Sequence, residues 1–382
     1  MNMTTAIDTT KSTTPTELSE GCIVIAGGGT GGHIFPAIAI ANAIKKLRPE
    51  ISILFIGAKG KMEMEKVPQA GYEIKGLTIA GLNRTSVLKN ISLPFKILAS
   101  FFQVKSIFKK YKPSLVIGVG GYSSFPVLRY AQAKSIPTFI HESNSFAGKS
   151  NIALGKKATK IFVATDGMEK FFPSSKIIIS GNPVRSVIAN ATINKSEAAA
   201  FFGLDATKQT ILIVGGSLGA KSINDAIVQH IHLFAEKNIQ LIWQTGKTNS
   251  THYTAVVNAK ENIWIGQFIT QMEMAYAAAD IVISRAGAMA VTELCIVGKP
   301  TIFVPYPFAA EDHQTANAMA LVNKDAALVV KDKNANIMLA NKAIELATDI
   351  DLQQKLKKNI QKLAKNNADE LIATTVLQYL NK

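Results

Sequence analysis

Cysteine is scarce. Cys22 and Cys295 are the two in 382 residues, and neither belongs to a C-x-x-C pair. That argues against a disulfide framework or a zinc site and fits a reducing compartment. No uninterrupted apolar stretch reaches the roughly 18 residues that a membrane-spanning helix needs. Residues 1–20 are polar and threonine-rich, without the basic start and apolar run of a signal peptide, and read as a disordered tail. Acidic residues are scarce too, but in one half only. Glu20 to Arg185 holds 8 of them against 23 Lys and Arg, whereas Ser186 to Lys382 holds 17 against 18. The net charge of +15 therefore sits almost wholly in the first half. Such a one-sided field draws phosphates, nucleic acid or an anionic membrane.

Short apolar runs are plentiful and alternate with amphipathic stretches. Strands are expected at Ile23–Ala26, Ile53–Ile56, Leu115–Val119, Pro137–Ile140, Lys160–Ala164 and Ile177–Ser180. The pattern restarts at "TILIVGGSLGAKSINDAIVQHI", with further strands at Gln240–Gln244, Ile281–Ser284, Thr301–Val304 and Ala327–Val330. Strands alternating with helices imply parallel sheets built from βαβ units. Two strand–glycine–helix openings about 190 residues apart suggest two similar halves of ordinary domain size. The boundary is placed just after "GNPVRSVI", and the last forty residues read as terminal helices.

The first opening, "VIAGGGTGGHIFPA", contains G-x-G-x-x-G at Gly27, Gly29 and Gly32. Glycines between strand and helix let backbone N–H groups and the helix dipole meet an anion. A dinucleotide site also needs an acidic residue about 20 residues on, at the end of the second strand. That strand ends "LFIGAKG", without one. No G-x-x-x-x-G-K-[ST] is present either, so the common ATP loop is absent. His33 falls at the helix start beside this loop. It is a general base, a donor to a phosphate, or a helix-end histidine bonded to backbone. A helix start lowers the imidazole pKa and keeps the ring able to accept a proton.

"GGGTGGHIFPA", "GVGGYSSFP", "HESN", "GNPVR", "GGSLGAKSIN", "RAGAMAVTELCIVGKP" and "DHQTAN" stand in the order seen in the MurG glycosyltransferase family. The chain resembles that family from about Gly21 to Asn317. The resemblance implies an α/β fold of GT-B type, with two Rossmann-like domains whose parallel sheets face each other across a cleft. Residues 21–185 would form the acceptor and membrane domain and 186–364 the UDP-GlcNAc domain. A C-terminal helix at about 365–382 would return to the first domain. The implied reaction is inverting transfer of GlcNAc from UDP-GlcNAc to the 4-hydroxyl of MurNAc on a lipid-linked MurNAc-pentapeptide acceptor, without a cofactor.

Residue by residue, the resemblance puts Thr30, Gly31 and Gly32 at the acceptor diphosphate. Ser217 and Arg185 go to the donor phosphates, and Glu293 to the ribose hydroxyls. The backbone of Ile269 goes to uracil. Ala288, Met289, Ala290, Val291 and Thr292 belong to the helix start beside the donor, and Gln314 and Asn144 to the donor sugar or the cleft. His33 is the first candidate for the base, with His141 and Glu142 as rivals. The chain departs from the family at Ser143, Leu218 and Ala286, where Gln, Gln and Ser are usual. A literal D-x-D occurs at Asp349–Asp351, far from any expected strand end, so a metal site is not expected. Helix dipoles and Arg185 would stabilise departing UDP instead.

The stretch from Arg84 to Lys112 carries seven basic residues and no acidic one. Ile97, Phe101, Val104, Phe108 and Tyr111 share a helical face that can pack on the sheet. Val87, Leu88, Ile91, Leu93, Pro94 and Phe95 add apolar residues upstream. Basic plus exposed apolar is the composition of a peripheral membrane contact. Nucleic acid is not expected, because no stacking motif interrupts the charges. The implied location is the cytoplasmic face of the bacterial plasma membrane, with other cell-wall enzymes as further partners. A different GT-B lipid glycosyltransferase, a UDP-sugar epimerase and a non-catalytic UDP-sugar-binding protein are the rival readings.

Overall fold

A computed structural model describes residues 22–81, 91–248, 250–257 and 262–380. The N-terminal tail, together with Val87, Leu88 and Lys89, lies outside the described residues. Two parallel sheets organise the chain. The first is built from β1 (Cys22–Ala26), β2 (Ser52–Ala58), β3 (Glu73–Leu77), β4 (Pro113–Gly118), β5 (Thr138–Glu142), β6 (Lys160–Val163) and β7 (Ile177–Ile179). Its spatial order is β3-β2-β1-β4-β5-β6-β7. The second is built from β8 (Thr210–Val214), β9 (Gln240–Gln244), β10 (Ile263–Gly266), β11 (Ile281–Ser284), β12 (Thr301–Phe303) and β13 (Leu328–Val329). Its order is β10-β9-β8-β11-β12-β13. This is the two-domain GT-B architecture.

Central strands such as β1 ("CIVIA") and β8 ("TILIV") are buried at every position. Helices cover both faces of a parallel sheet, so its inner strands read as continuous apolar runs. Two strands escaped the sequence reading, β3 ("EIKGL") and β10 ("IWIG"). Each is the edge strand of its sheet and is only partly buried. An edge strand has one neighbour and a wet flank, so its apolar pattern is weak. The expected end of β5 at Ile140 was also short: the strand runs on through His141 and Glu142.

In each sheet the strand order reverses once, between β1 and β4 and between β8 and β11. Ligands of open α/β sheets bind in the crevice that such a reversal leaves beyond the strand ends. The glycine loops after β1 and β8 both lie there.

Helix Ser186–Ala189 packs against helices of the second domain, with Ile188 in its core. The last helix, Ala368–Leu377, returns to the first domain. Ile372, Ala373 and Val376 share a core cluster with Ile23, Ile25 and Ile40, and Glu370 pairs with Lys46 at 3.5 Å. The helix Leu93–Tyr111 departs from expectation. Its buried residues are Ser100, Val104 and Phe108, and Ile97 is exposed rather than packed.

Candidate active site in the interdomain cleft

A cavity of about 1150 Å³ lies between the domains. Gly31, Gly32 and Phe35 line it from the first domain, and Arg185 from the connection between the two. The second domain contributes Ser217, Gln244, Ile269, Met289, Ala290, Glu293 and Gln314 among others. Its size exceeds that of an ordinary small-molecule pocket, so a nucleotide sugar and part of a second substrate fit together.

The first loop is forced into its shape by its neighbours. Gly27 and Gly28 have φ of +152° and +147°. A Cβ on Gly27 would lie 2.6 Å from the Gly120 carbonyl, and one on Gly28 2.3 Å from the Glu63 carboxyl carbon. The helix Gly31–Leu47 then starts, with extended Thr30 as its cap residue. The amides of Gly31 and Gly32 have no intrahelical acceptor, and both residues line the cavity, where free N–H groups at a helix start suit an anion. Thr30 is exposed. His33 is half-buried, its Nδ1 3.1 Å from the Gly28 carbonyl and 3.3 Å from Thr30 Oγ1. Burial pulls its pKa below the ordinary value and outweighs the opposing charge of Glu142. A ring neutral at physiological pH can accept a proton.

The other two base candidates stand differently. Glu142 is 4% exposed. Its Oε1 accepts the N–H and the side-chain amide of Asn144, and its Oε2 accepts Gly148 N–H and Asn151 Nδ2. A carboxylate offers about four lone-pair sites. All are committed to shaping the 143–148 loop, which leaves none for a substrate proton. His141 is buried, with Gly181 and Asn182 beside its ring but no well-formed hydrogen bond to either ring nitrogen. Burial pushes its pKa down to about 4. None of the three candidates, His33 included, lines the large cavity; His33 stands next to Gly32, which does.

Asn144 is drawn into the link between domains instead of the cavity. Its Oδ1 accepts from Asn317 Nδ2 at 3.3 Å, and Asn317 Oδ1 accepts Ser145 N–H at 2.8 Å. Asn182 adds a second link, from its Nδ2 to Ser143 O at 3.0 Å and to Thr292 Oγ1 at 2.8 Å. These polar contacts, partly or fully buried, tie the two domains together.

The second loop puts Ser217 at an exposed tip braced by Lys247 N–H, which donates to the Ser217 carbonyl at 3.2 Å. Gln244, at the end of β9, donates to Gly216 O and accepts Ile269 N–H at 2.9 Å. The Ile269 backbone therefore has its carbonyl, rather than its N–H, to offer a base. The helix Ala288–Val297 sorts its first turns between two cavities. Met289, Ala290 and Glu293 face the large one. Ala288, Val291 and Thr292 face a second cavity of about 280 Å³ at the domain junction, so their side chains do not line the large one. Glu293 is 8% exposed. Arg185 Nη2 reaches its Oε1 at 3.1 Å, and the Tyr276 hydroxyl donates to its Oε2 at 3.0 Å. Gln314 Oε1 accepts Tyr306 N–H at 3.0 Å, which leaves its amide nitrogen as the group to offer. The D-x-D match has a structural use: Asp349 caps helix Ile350–Gln361 by accepting Leu352 N–H at 2.9 Å.

The chain is 50% identical over 363 residues to the UDP-N-acetylglucosamine–N-acetylmuramyl-(pentapeptide) pyrophosphoryl-undecaprenol N-acetylglucosamine transferase of Phocaeicola vulgatus, covering 94% of this chain and 96% of that protein. The protein of the same name from Cytophaga hutchinsonii is 49% identical over 360 residues, covering 94% and 97%. Residues 23–163 match the glycosyltransferase family 28 N-terminal domain and 210–374 its C-terminal domain. The chain belongs to glycosyltransferase family 28, in its MurG group. The solved structure of Acinetobacter baumannii MurG matches with a TM-score of 0.76 at 28% identity, over 94% of this chain and 99% of its own. A UDP-N-acetylglucosamine 2-epimerase shares the fold alone, with a TM-score of 0.63 at 13% identity.

Several residues of this MurG-group site were not legible as functional. Tyr276 lies in the helix Met272–Ala278, and nothing local in the sequence marks it. Gln244 had a usable signal, a polar residue closing the apolar strand "QLIWQ". Asn182 and Asn317 were visible inside "GNPVR" and "DHQTAN" but not as residues that bond across the domain junction, the first to Thr292 and the second to Asn144 and Ser145.

Proposed function

We infer that the chain transfers GlcNAc from UDP-GlcNAc to the 4-hydroxyl of MurNAc in undecaprenyl-pyrophosphoryl-MurNAc-pentapeptide, a step of peptidoglycan synthesis. One observation carries the reading: two glycine loops, each opening a helix, line a single cavity from opposite domains. Two helix starts suit two phosphorylated substrates. The donor lies on the second domain. Glu293 accepts from the ribose hydroxyls, and Arg185 swings from Glu293 toward the diphosphate. The Ser217 loop holds the phosphates, the Ile269 carbonyl meets uracil, and Gln314 meets the sugar. The acceptor diphosphate lies at Gly31 and Gly32.

The reaction is a single displacement. The acceptor oxygen attacks the anomeric carbon from the face opposite UDP, its proton passes to His33, and the UDP oxygen leaves with the bonding electrons. An α-linked donor thus gives a β(1→4) product. Helix N-termini and Arg185 stabilise the charge on UDP, so the step needs no cofactor.

The lipid acceptor places the enzyme at a membrane surface. Among the described residues no helix is long and apolar enough to cross one. The helix Leu93–Tyr111 supplies a contact instead. Phe95, Leu98 and Phe102 are 74%, 58% and 64% exposed and lie at i, i+3 and i+7 on one face. Lys105 and Lys109 continue the same stripe and are exposed. The chain accordingly acts as a peripheral protein on the cytoplasmic face, first domain toward the bilayer.

The test is an assay with UDP-GlcNAc and a short-chain analogue of the lipid acceptor. Disaccharide product that depends on the acceptor supports the reading. Turnover of UDP-GlcNAc without acceptor would instead indicate an epimerase, and donor binding without any turnover a sugar-nucleotide-binding protein.

A further inference from the structure

The first glycine loop is wrapped around a carboxylate. Glu63 opens the helix Glu63–Gln69 and is 1% exposed. Its Oε1 accepts Ala58 N–H at 3.0 Å and its Oε2 accepts Gly29 N–H at 2.9 Å. Gly28 and Gly57 flank it so closely that a Cβ on either would lie within 2.5 Å of its side chain. The Gly29 N–H belongs to the same peptide unit as the Gly28 carbonyl, and that carbonyl faces His33 Nδ1 at 3.1 Å. A carbonyl oxygen only accepts, and the Thr30 hydroxyl, the other group near Nδ1 at 3.3 Å, can accept as well. Nδ1 therefore carries the proton, and in the neutral ring Nε2 keeps a lone pair. The peptide is planar, with its N–H and C=O on opposite edges. Carboxylate and imidazole thus hold the two ends of one rigid group, and each hydrogen bond polarises the other.

We propose that Glu63 is a positioning residue for His33, acting through the Gly28–Gly29 peptide to hold the imidazole as the Nδ1–H tautomer with Nε2 free for the acceptor's proton. The proposal rests on the reading of His33 as the base. Glutamine cannot replace Glu63 here. It has one acceptor oxygen for two peptide N–H groups, and its NH₂ would face one of them. The charged groups around His33 come from three elements. Glu142 stands at the end of β5, Glu63 acts through the loop, and His313 faces it from the helix His313–Val322. Burial, with His313, opposes a charged ring, while Glu142, the Gly28 carbonyl and Glu63 favour it. Loss of the Glu63 charge therefore moves the acidic limb of the rate profile to lower pH.

The experiment compares wild-type and Glu63→Gln enzyme, both ¹⁵N-labelled at histidine. Two-bond ¹H–¹⁵N spectra above the imidazole pKa identify the tautomer of His33, assigned with His33→Ala. The expected wild-type spectrum has a protonated Nδ1 and a bare Nε2. In Glu63→Gln the tautomers mix. Turnover falls about 10–100-fold, as when an orienting partner is lost, while the KM for UDP-GlcNAc stays within about twofold. A wild-type ring protonated on Nε2 overturns the proposal, and that spectrum decides even if Glu63→Gln does not fold. A folded Glu63→Gln enzyme with unchanged tautomer and turnover overturns it too. If His33→Ala keeps wild-type turnover while Glu63→Gln still mixes the tautomers, the base reading falls and the linkage through the peptide stands.

Discussion

Replacing Glu293 with alanine should cost the enzyme its grip on the donor ribose. A hydrogen bond to a charged group contributes about 1.5–3 kcal/mol. Its loss predicts a rise of roughly 10- to 150-fold in the KM for UDP-GlcNAc. Turnover at saturating donor should change less, because the ribose contacts are the same in ground and transition states. The structure adds a second cost. Tyr276 is 3% exposed, and its hydroxyl donates to Glu293 Oε2. Alanine strands that donor, at about 1–3 kcal/mol of stability. Glutamine keeps an acceptor oxygen in place and should be milder on both counts. The carboxyl pKa is also informative. Burial raises it above the ordinary value, while Arg185 and Tyr276 hold it partly down. Between the ordinary and the raised value the folded chain holds more proton than the unfolded one. Stability therefore falls as pH rises through that window, and donor affinity, which needs the carboxylate, rises through it. Arg185→Ala removes the largest opposing influence and should move the affinity limb to higher pH. Calorimetric titration with UDP-GlcNAc and steady-state kinetics measure both effects. Wild-type donor affinity in a folded Glu293→Ala enzyme would refute the assignment.

Three further outcomes are expected. His33→Ala should lower turnover roughly 10²–10⁴-fold with little change in donor affinity; a smaller loss with weaker acceptor binding would make His33 a diphosphate ligand, and wild-type rates a structural residue. Changing Phe95, Leu98 and Phe102 together to serine should release the protein from anionic vesicles in a flotation assay, and salt should weaken wild-type binding. Activity on a water-soluble acceptor should persist; undiminished vesicle binding would place the contact elsewhere. His141, with its pKa near 4 in the folded chain, binds its proton more readily when unfolded. Stability should thus drop as pH falls from about 6.5 toward 4, by about 1.4 kcal/mol per unit of pKa difference. Melting temperatures across that range should lose this slope in His141→Phe, and an unchanged slope would assign it to other groups.

The sequence by itself determined the architecture and the family. Inner parallel strands are buried on both faces, so "CIVIA" and "TILIV" announce themselves without any partner. The glycine loops and the start of the donor helix were legible for another reason: backbone geometry next to a ligand restricts the residue types a loop can carry. The edge strands β3 and β10 were not, because one-sided pairing and partial exposure leave no strong period. What the residues of the site face, only the tertiary structure decided. Glu142 and His33 are both plausible bases in a string of letters. Packing ties the first into four hydrogen bonds and leaves the second with a bare nitrogen. Ala288 and Met289 are neighbours in sequence, yet the helix turns them toward different cavities. Glu63 and His33 are thirty residues apart and meet across one peptide group. Local sequence encodes backbone preference and burial. Which lone pair remains free depends on contacts between segments that only folding brings together.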